Sequence, residues 1–149
     1  RMDAHIEGVR VAESPSGIVA VVTLGVEGET DVLPIFVGFE EATSIARGLD
    51  AADIGRPLTH DLLLDVVEEL GGRVARVVVS AVEESTYIAD LHVETPRGGA
   101  VVDSRPSDSI ALAARTSGDI EIDETVFEAG REPLEEYDHL EDIREMMAA

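Results

Sequence analysis

Two stretches carry residue types that could do chemistry. Residues 103–113 read D-S-R-P-S-D-S-I-A-L-A, and residues 56–63 read R-P-L-T-H-D-L-L. The first gathers Asp103, Arg105, Ser107 and Asp108, and the second sets His60 beside Asp61. Two carboxylates can share one hard divalent cation through oxygen ligands. A guanidinium matches phosphate oxygens bidentately. A His side chain gives and takes protons near neutral pH. Metal-assisted phosphodiester hydrolysis needs such a set: a cation to activate water, and a positive side chain on the phosphate. Local physics offers a second reading of the same residues. Pro106 presets φ for a first helical turn, and Asp108 then lies where unpaired N–H groups favour negative charge. Thr59 is an expected N-cap with Asp61 in the following turn. An ion-paired cluster that only locks helix starts would use these residues too.

Other chemistries lack their pattern. Neither G-x-G-x-x-G nor G-x-x-x-x-G-K occurs, so no nucleotide-binding loop is expected. His5, His60, His92 and His139 are too scattered for a metal motif of their own. Ser107 beside an Asp falls short of a catalytic triad. There is no Cys, which excludes disulfides and thiolates.

The elements that must position the two stretches read clearly. Residues 3–12 alternate as a strand that Gly8 interrupts with a bulge. Ser14 to Gly17 is a turn, and Ile18 to Leu24 is a buried, β-branched strand. Asp31 to Val37 is a third strand. A helix opens at Gly38, with Phe39, Ala42, Ile45, Ala46 and Leu49 on one face. Glu40 and Glu41 are expected there as solvated first-turn acids. A loop is expected at 50–57. The helix at 59–70 carries Leu62, Leu63, Val66, Val67 and Leu70 as an apolar stripe and stops at Gly71-Gly72. Strands follow at Val74–Val82, Thr86–Thr95 and Ala100–Asp103, then a helix at Pro106–Thr116, a strand at Ile120–Ile122 and a short helix at Glu124–Ala129. Strand–strand–strand–helix thus occurs twice, an expected internal duplication. Short hairpins imply antiparallel pairing. The fold class is a single α+β domain, its sheet mainly antiparallel or mixed with helices packed on it. In residues 133–149, Leu140, Ile143 and Met147 form a thin amphipathic stripe.

Composition bounds the rest. The 149 residues suit one domain. There are 32 acidic residues against 11 basic ones, and every basic residue is Arg. A net charge of −21 with regular apolar periodicity reads as the acidic, Lys-free surface of a halophile's protein. It also opposes nucleic-acid binding through cationic contacts. Arg73, Arg76 and Arg97 are expected to be solvated. No apolar run approaches a membrane span and no signal-peptide pattern leads the chain, so no membrane partner and a cytoplasmic location are expected.

The segments L-P-I-F-V-G at 33–38 with Glu41 and Ile45-Ala46, R-P-L-T-H-D-L-L at 56–63 and D-S-R-P-S-D-S-I-A-L-A at 103–113 carry a resemblance. In order and spacing they are similar to the bifunctional nuclease family, here with the look of a haloarchaeal member. Ser109 stands where Ala is usual. The resemblance covers about residues 3–130, giving a domain at 1–131 and an acidic helix or tail at 132–149. It implies an α+β domain with nuclease activity on DNA, RNA or both. Matched onto the motifs, His60, Asp61, Asp103, Arg105, Ser107 and Asp108 become the candidate catalytic residues. Asp103 and Asp108 would hold Mg²⁺ or Mn²⁺, Arg105 the phosphate, and His60 would transfer the proton. The alternative from another class is a non-catalytic module, with the same motifs binding a small anion or building a subunit interface. A homodimer or higher homo-oligomer is expected from an exposed apolar stripe on the tail or from an edge strand.

Overall fold

The structure is a computed structural model that describes residues 1–51 and 54–148. Ala52 and Asp53, inside the loop expected at 50–57, lie outside the described residues. The described residues form nine strands and five α-helices, a single α+β domain with a mixed sheet.

Alternating apolar residues build the sheet. Strand β1 (Met2–Ser14), β2 (Gly17–Val26) and β3 (Asp31–Val37) form an antiparallel meander that ends in α1 (Phe39–Leu49). After α2 (Thr59–Glu69), strands β4 (Arg73–Glu83), β5 (Thr86–Thr95) and β6 (Gly98–Ser104) form a second meander ending in α3 (Pro106–Thr116). The order β–β–β–α therefore does occur twice. Strand β7 (Asp119–Ile122) joins the halves, antiparallel to β1 and parallel to β4. After α4 (Glu124–Gly130), the two-residue β8 (Glu132–Pro133) extends the sheet beyond β3. The bulge expected at Gly8 appears as a register shift between Ile6 and Gly8. Glu7, inside it, accepts hydrogen bonds from Arg10 at 2.7 Å and Thr23 at 2.7 Å.

One sheet face carries α1 and α3, which pack on each other with Ile45, Ala46, Ile110 and Ala111 fully buried. Ala20, Val22 and Leu24 point into this core, while Val21 points to the other face. There Tyr137 and the flanking Leu134 and Leu140 pack on Val21 and Val32. The chain continues through β9 (Glu141–Asp142), paired with β1, into α5 (Ile143–Ala148), whose Ile143 is buried in the main core. The acidic segment after residue 131 thus folds onto the sheet. Tyr87 of β5 and Leu33 of β3 both abut Gly130 at the end of α4.

Helix α2 departs from expectation twice. Its N-cap is Leu58, with Thr59 already helical, and the helix buries no residue fully. Leu62, Leu63, Val66 and Leu70 are exposed, and only Leu64 and Val67 among its apolar residues are half-buried. The stripe read from periodicity includes Val67 but not Leu64, the α2 side chain that packs on the core, and among the described residues most of the stripe stays uncovered.

Candidate functional site

The two motifs meet at two helix starts. His60 and Asp61 occupy the first turn of α2, and Ser107 and Asp108 the first turn of α3 behind Pro106. Because α2 and α3 pack together, those turns come side by side. His60 Nε2 lies 2.9 Å from Asp108 Oδ1, and Nδ1 lies 2.6 Å from Ser44 Oγ on α1. Asp108, when ionised, only accepts, so Nε2 carries the proton it donates there. Nδ1 then accepts from the Ser44 hydroxyl, which fixes the neutral ring's tautomer. Arg105 clamps the same carboxylate from outside, with Nε 2.9 Å from Oδ2 and Nη2 3.1 Å from Oδ1. Its Nη1 sits 3.5 Å from Glu41 Oε1. The cleft over these groups measures about 540 Å³ and is also walled by Phe39, Arg47 and Leu58.

Asp61 does separate work. Its Oδ2 accepts the Leu58 N–H at 2.9 Å, and its Oδ1 accepts Arg115 Nε at 2.7 Å. Arg115, only 8% exposed, also donates to the Ser44 and Ala111 carbonyls at 2.9 Å each and to Ser44 Oγ at 3.1 Å. One guanidinium therefore ties α1, α2 and α3 beneath the cleft. The electrostatics follow these contacts. The Arg115 hydrogen bond, against the opposing effect of burial, holds the Asp61 carboxyl below its ordinary value. Burial pushes Asp108 upward, but hydrogen bonds from Arg105 and His60 outweigh it and leave the carboxyl lowered. Arg105 is raised, chiefly by its bond to Asp108.

The structure thus joins His60, Arg105 and Asp108 directly and places Asp61 behind them. Ser107 is buried and lines a neighbouring concavity with Phe36, Tyr87, Glu41 and Arg105. Asp103 stands apart. Ser104 pairs with the buried Ala89 on the helix side of the sheet, so Asp103 points to the opposite side, in register with Asp90. Among the described residues, no three His, Cys, Asp or Glu side chains converge as a metal cage. With Asp103 on the far side and both Asp108 oxygens engaged by Arg105 and His60, these donors do not fit a protein-only Mg²⁺ or Mn²⁺ site. Sequence reasoning missed Ser44, Arg47 and Arg115. One signal was available for Ser44: laid beside the second helix, Ser44-Ile45-Ala46 matches Ser109-Ile110-Ala111, and both serines are buried. Glu41, expected as a solvated acid, faces Arg105 instead.

Comparison with known proteins agrees with the motifs. The family model for the Bifunctional nuclease domain matches residues 22–135, the span from β2 past α4 that holds every residue of the cleft. The uncharacterized protein Rv1829 of Mycobacterium tuberculosis (strain ATCC 25618 / H37Rv) is 34% identical over 124 residues, covering 83% of this chain and 73% of its own length. The uncharacterized protein MT1877 of Mycobacterium tuberculosis (strain CDC 1551 / Oshkosh) matches equally, at 34% over 124 residues. By its matched span and its relatives, the chain belongs to the bifunctional nuclease domain family.

Proposed function

We propose that the cleft between the starts of α2 and α3 binds and hydrolyses a DNA or RNA phosphodiester. The observation that carries this reading is the Ser44–His60–Asp108 hydrogen-bond chain, opening on a cleft that also holds Arg105 and Arg47. Arg105 is 65% exposed and is held on Asp108 and Glu41 until a phosphate competes for it. Moving to the phosphate, it would free an Asp108 oxygen to accept a proton from the attacking water, with His60 donating to and orienting the other oxygen; as the water oxygen bonds phosphorus, the P–O bond to the leaving strand end breaks and that oxygen takes the proton from Asp108. Ser44 orients His60 rather than attacking, since it is 8% exposed and already bonded to His60 and Arg115. Phe39 offers a wall on which a base can stack.

The cation expected from the pairing of Asp103 with Asp108 is Mg²⁺ or Mn²⁺. Among the described residues, the cleft's donors give no cage for it. The test is cleavage of single-stranded DNA and RNA in molar KCl, with Mg²⁺, Mn²⁺ or EDTA. Asp108→Asn is expected to abolish cleavage while keeping the parent's circular dichroism spectrum. His60→Ala should slow it about 10²–10⁴-fold. Full activity in a folded Asp108→Asn chain would remove the mechanism. Tight nucleic-acid binding without turnover by the parent would favour the non-catalytic module instead.

A further inference from the structure

The chain has three Phe, two Tyr and no Trp, and three of these aromatics line the two hollows that meet at Arg105. Phe39 walls the cleft described above. Phe36 and Tyr87 wall the neighbouring concavity, which measures about 330 Å³. Arg105 and Glu41 line both hollows and form the ridge between them. The other two aromatics, Phe127 and Tyr137, are buried. Phe36 is 61% exposed, while Phe39 and Tyr87 are half-buried. Tyr137 meets the Phe36 ring edge-on, with centroids 6.4 Å apart, which steadies the ring without covering it.

Local structure explains how each group arrives there. Ile35 points into the main core, so the alternation of β3 turns Phe36 the other way. Tyr87 follows the tight β4–β5 turn, in which Glu84 and Ser85 both take positive φ. Its hydroxyl is seated against Gly130, where even a Cβ would collide with it, so the side of the ring lines the hollow. Ser107, in the first turn of α3, completes the lining. It is only 5% exposed, yet among the described residues its hydroxyl has no hydrogen-bond partner. A buried hydroxyl left in that state calls for a partner from outside the chain. Aromatic walls, an unpaired hydroxyl and a guanidinium at the rim suit a flat ring with a polar edge, joined to a phosphate.

We infer that this hollow seats the nucleobase on one side of the phosphate held by Arg105, with Phe39 taking the base on the other side. The inference rests on the function proposed above, in which Arg105 leaves Asp108 and Glu41 for a phosphate. Stacking suits this chain. A net charge of −21 repels a polyanion, whereas contact with the face of a base needs no charge and survives molar salt. The Ser107 hydroxyl both donates and accepts, so it can serve a base edge without selecting one base. Two neighbouring bases on separate walls, with the Arg105 ridge between them, cannot stay stacked on each other or paired in a duplex. The subsite therefore takes a single strand with its bases splayed out.

Binding and cleavage are measured separately on the full chain in molar KCl. The probe is a mixed-sequence single-stranded DNA decamer with fluorescein at its 3′ end, followed by anisotropy in EDTA and by gel with Mg²⁺ or Mn²⁺. Phe36→Ala should keep the parent's circular dichroism spectrum, since the side chain is already mostly exposed. It should weaken decamer binding about 10-fold. Its log–log salt slope should match the parent's, because no phosphate contact is lost. Phe36→Trp should restore binding and Phe36→Leu should not, which separates stacking from apolar packing beside Tyr137. Annealed to its complement, the decamer should bind the parent at least about 10-fold more weakly. Equal binding by the parent and Phe36→Ala overturns the subsite, and cleavage by both then leaves the hydrolytic reading standing. Rescue by Phe36→Leu, or equal binding of the duplex, also overturns the subsite. Phe36-dependent binding without cleavage supports the subsite and removes the hydrolysis. A parent that binds no decamer overturns both.

Discussion

His60 shows what one side chain gains from its surroundings. Alone it is a titratable ring at a helix start. Between Ser44 and Asp108 it has one tautomer and one orientation. The sequence marked His60, Arg105 and Asp108, because histidine, arginine and aspartate beside a helix-opening proline are rare enough to notice. It could not mark Arg47, which looks like any helical arginine. In the structure Arg47 donates to Thr43 Oγ1 at 3.2 Å and, among the described residues, pairs with no carboxylate. A cation with no carboxylate partner among the described residues, on the wall of the cleft that also holds Arg105, is available to a phosphate. Arg47→Ala is therefore expected to raise KM for an oligonucleotide about 10-fold with little change in kcat. It should also reduce the log–log salt slope of binding by about 1. An unchanged KM and slope would place Arg47 outside the substrate path.

Elements, not residues, bring the site together. Helix α2 has no fully buried residue, so its own packing holds it weakly. The Arg115–Asp61 pair at 2.7 Å and the Arg115 bonds to Ser44 and Ala111 fasten it to α1 and α3. Removing the buried Arg115 leaves the Ser44 and Ala111 carbonyls short of a donor, while Asp61, 38% exposed, turns to water. Arg115→Ala should cost about 1–3 kcal/mol in denaturant unfolding and slow any His60-dependent turnover through misplacement of α2. The pH sign follows from Asp61, whose folded carboxyl is lowered. Its contribution is complete above the ordinary carboxylate range and is lost as pH falls from about 4 through the lowered folded value. The parent should therefore lose stability on acidification below about pH 4 more steeply than Arg115→Ala. Parallel acid-stability curves would deny the pair that role.

At the scale of the molecule, charge dominates. Among the described residues, eight of the eleven Arg side chains (1, 10, 73, 76, 105, 115, 131 and 144) lie within ion-pairing distance of a carboxylate. Arg131 alone meets Glu29, Asp31 and Glu128 and lies over the Phe127 ring. Of the 32 acids, most of those among the described residues lie outside any ion pair. Exposed pairs contribute about 0–1 kcal/mol each, so screening them costs less than relieving the net repulsion returns. Molar KCl, with a Debye length of about 3 Å, should raise the melting temperature by about 5–8 °C over dilute buffer. A higher melting point in dilute buffer would contradict a salt-adapted surface. No described helix is long and apolar enough to cross a membrane.

The sequence by itself determined the element order through α4, the bulge at Gly8, the repeated β–β–β–α unit and the two polar motifs, but not β8 and β9. These are local: period-two and period-3.6 patterns, turn residues and helix starts are written within a few neighbouring positions. It also marked an apolar stripe on α2, but not that most of it stays uncovered. Only the tertiary structure decided which motif residues meet. Asp103 and Asp108 are five positions apart, yet the sheet's alternation sends Asp103 to one side while the chain carries Asp108 to the other. His60 and Asp108 are 48 positions apart, yet they touch, because the packing of α2 on α3 sets distance in space where the chain sets only order.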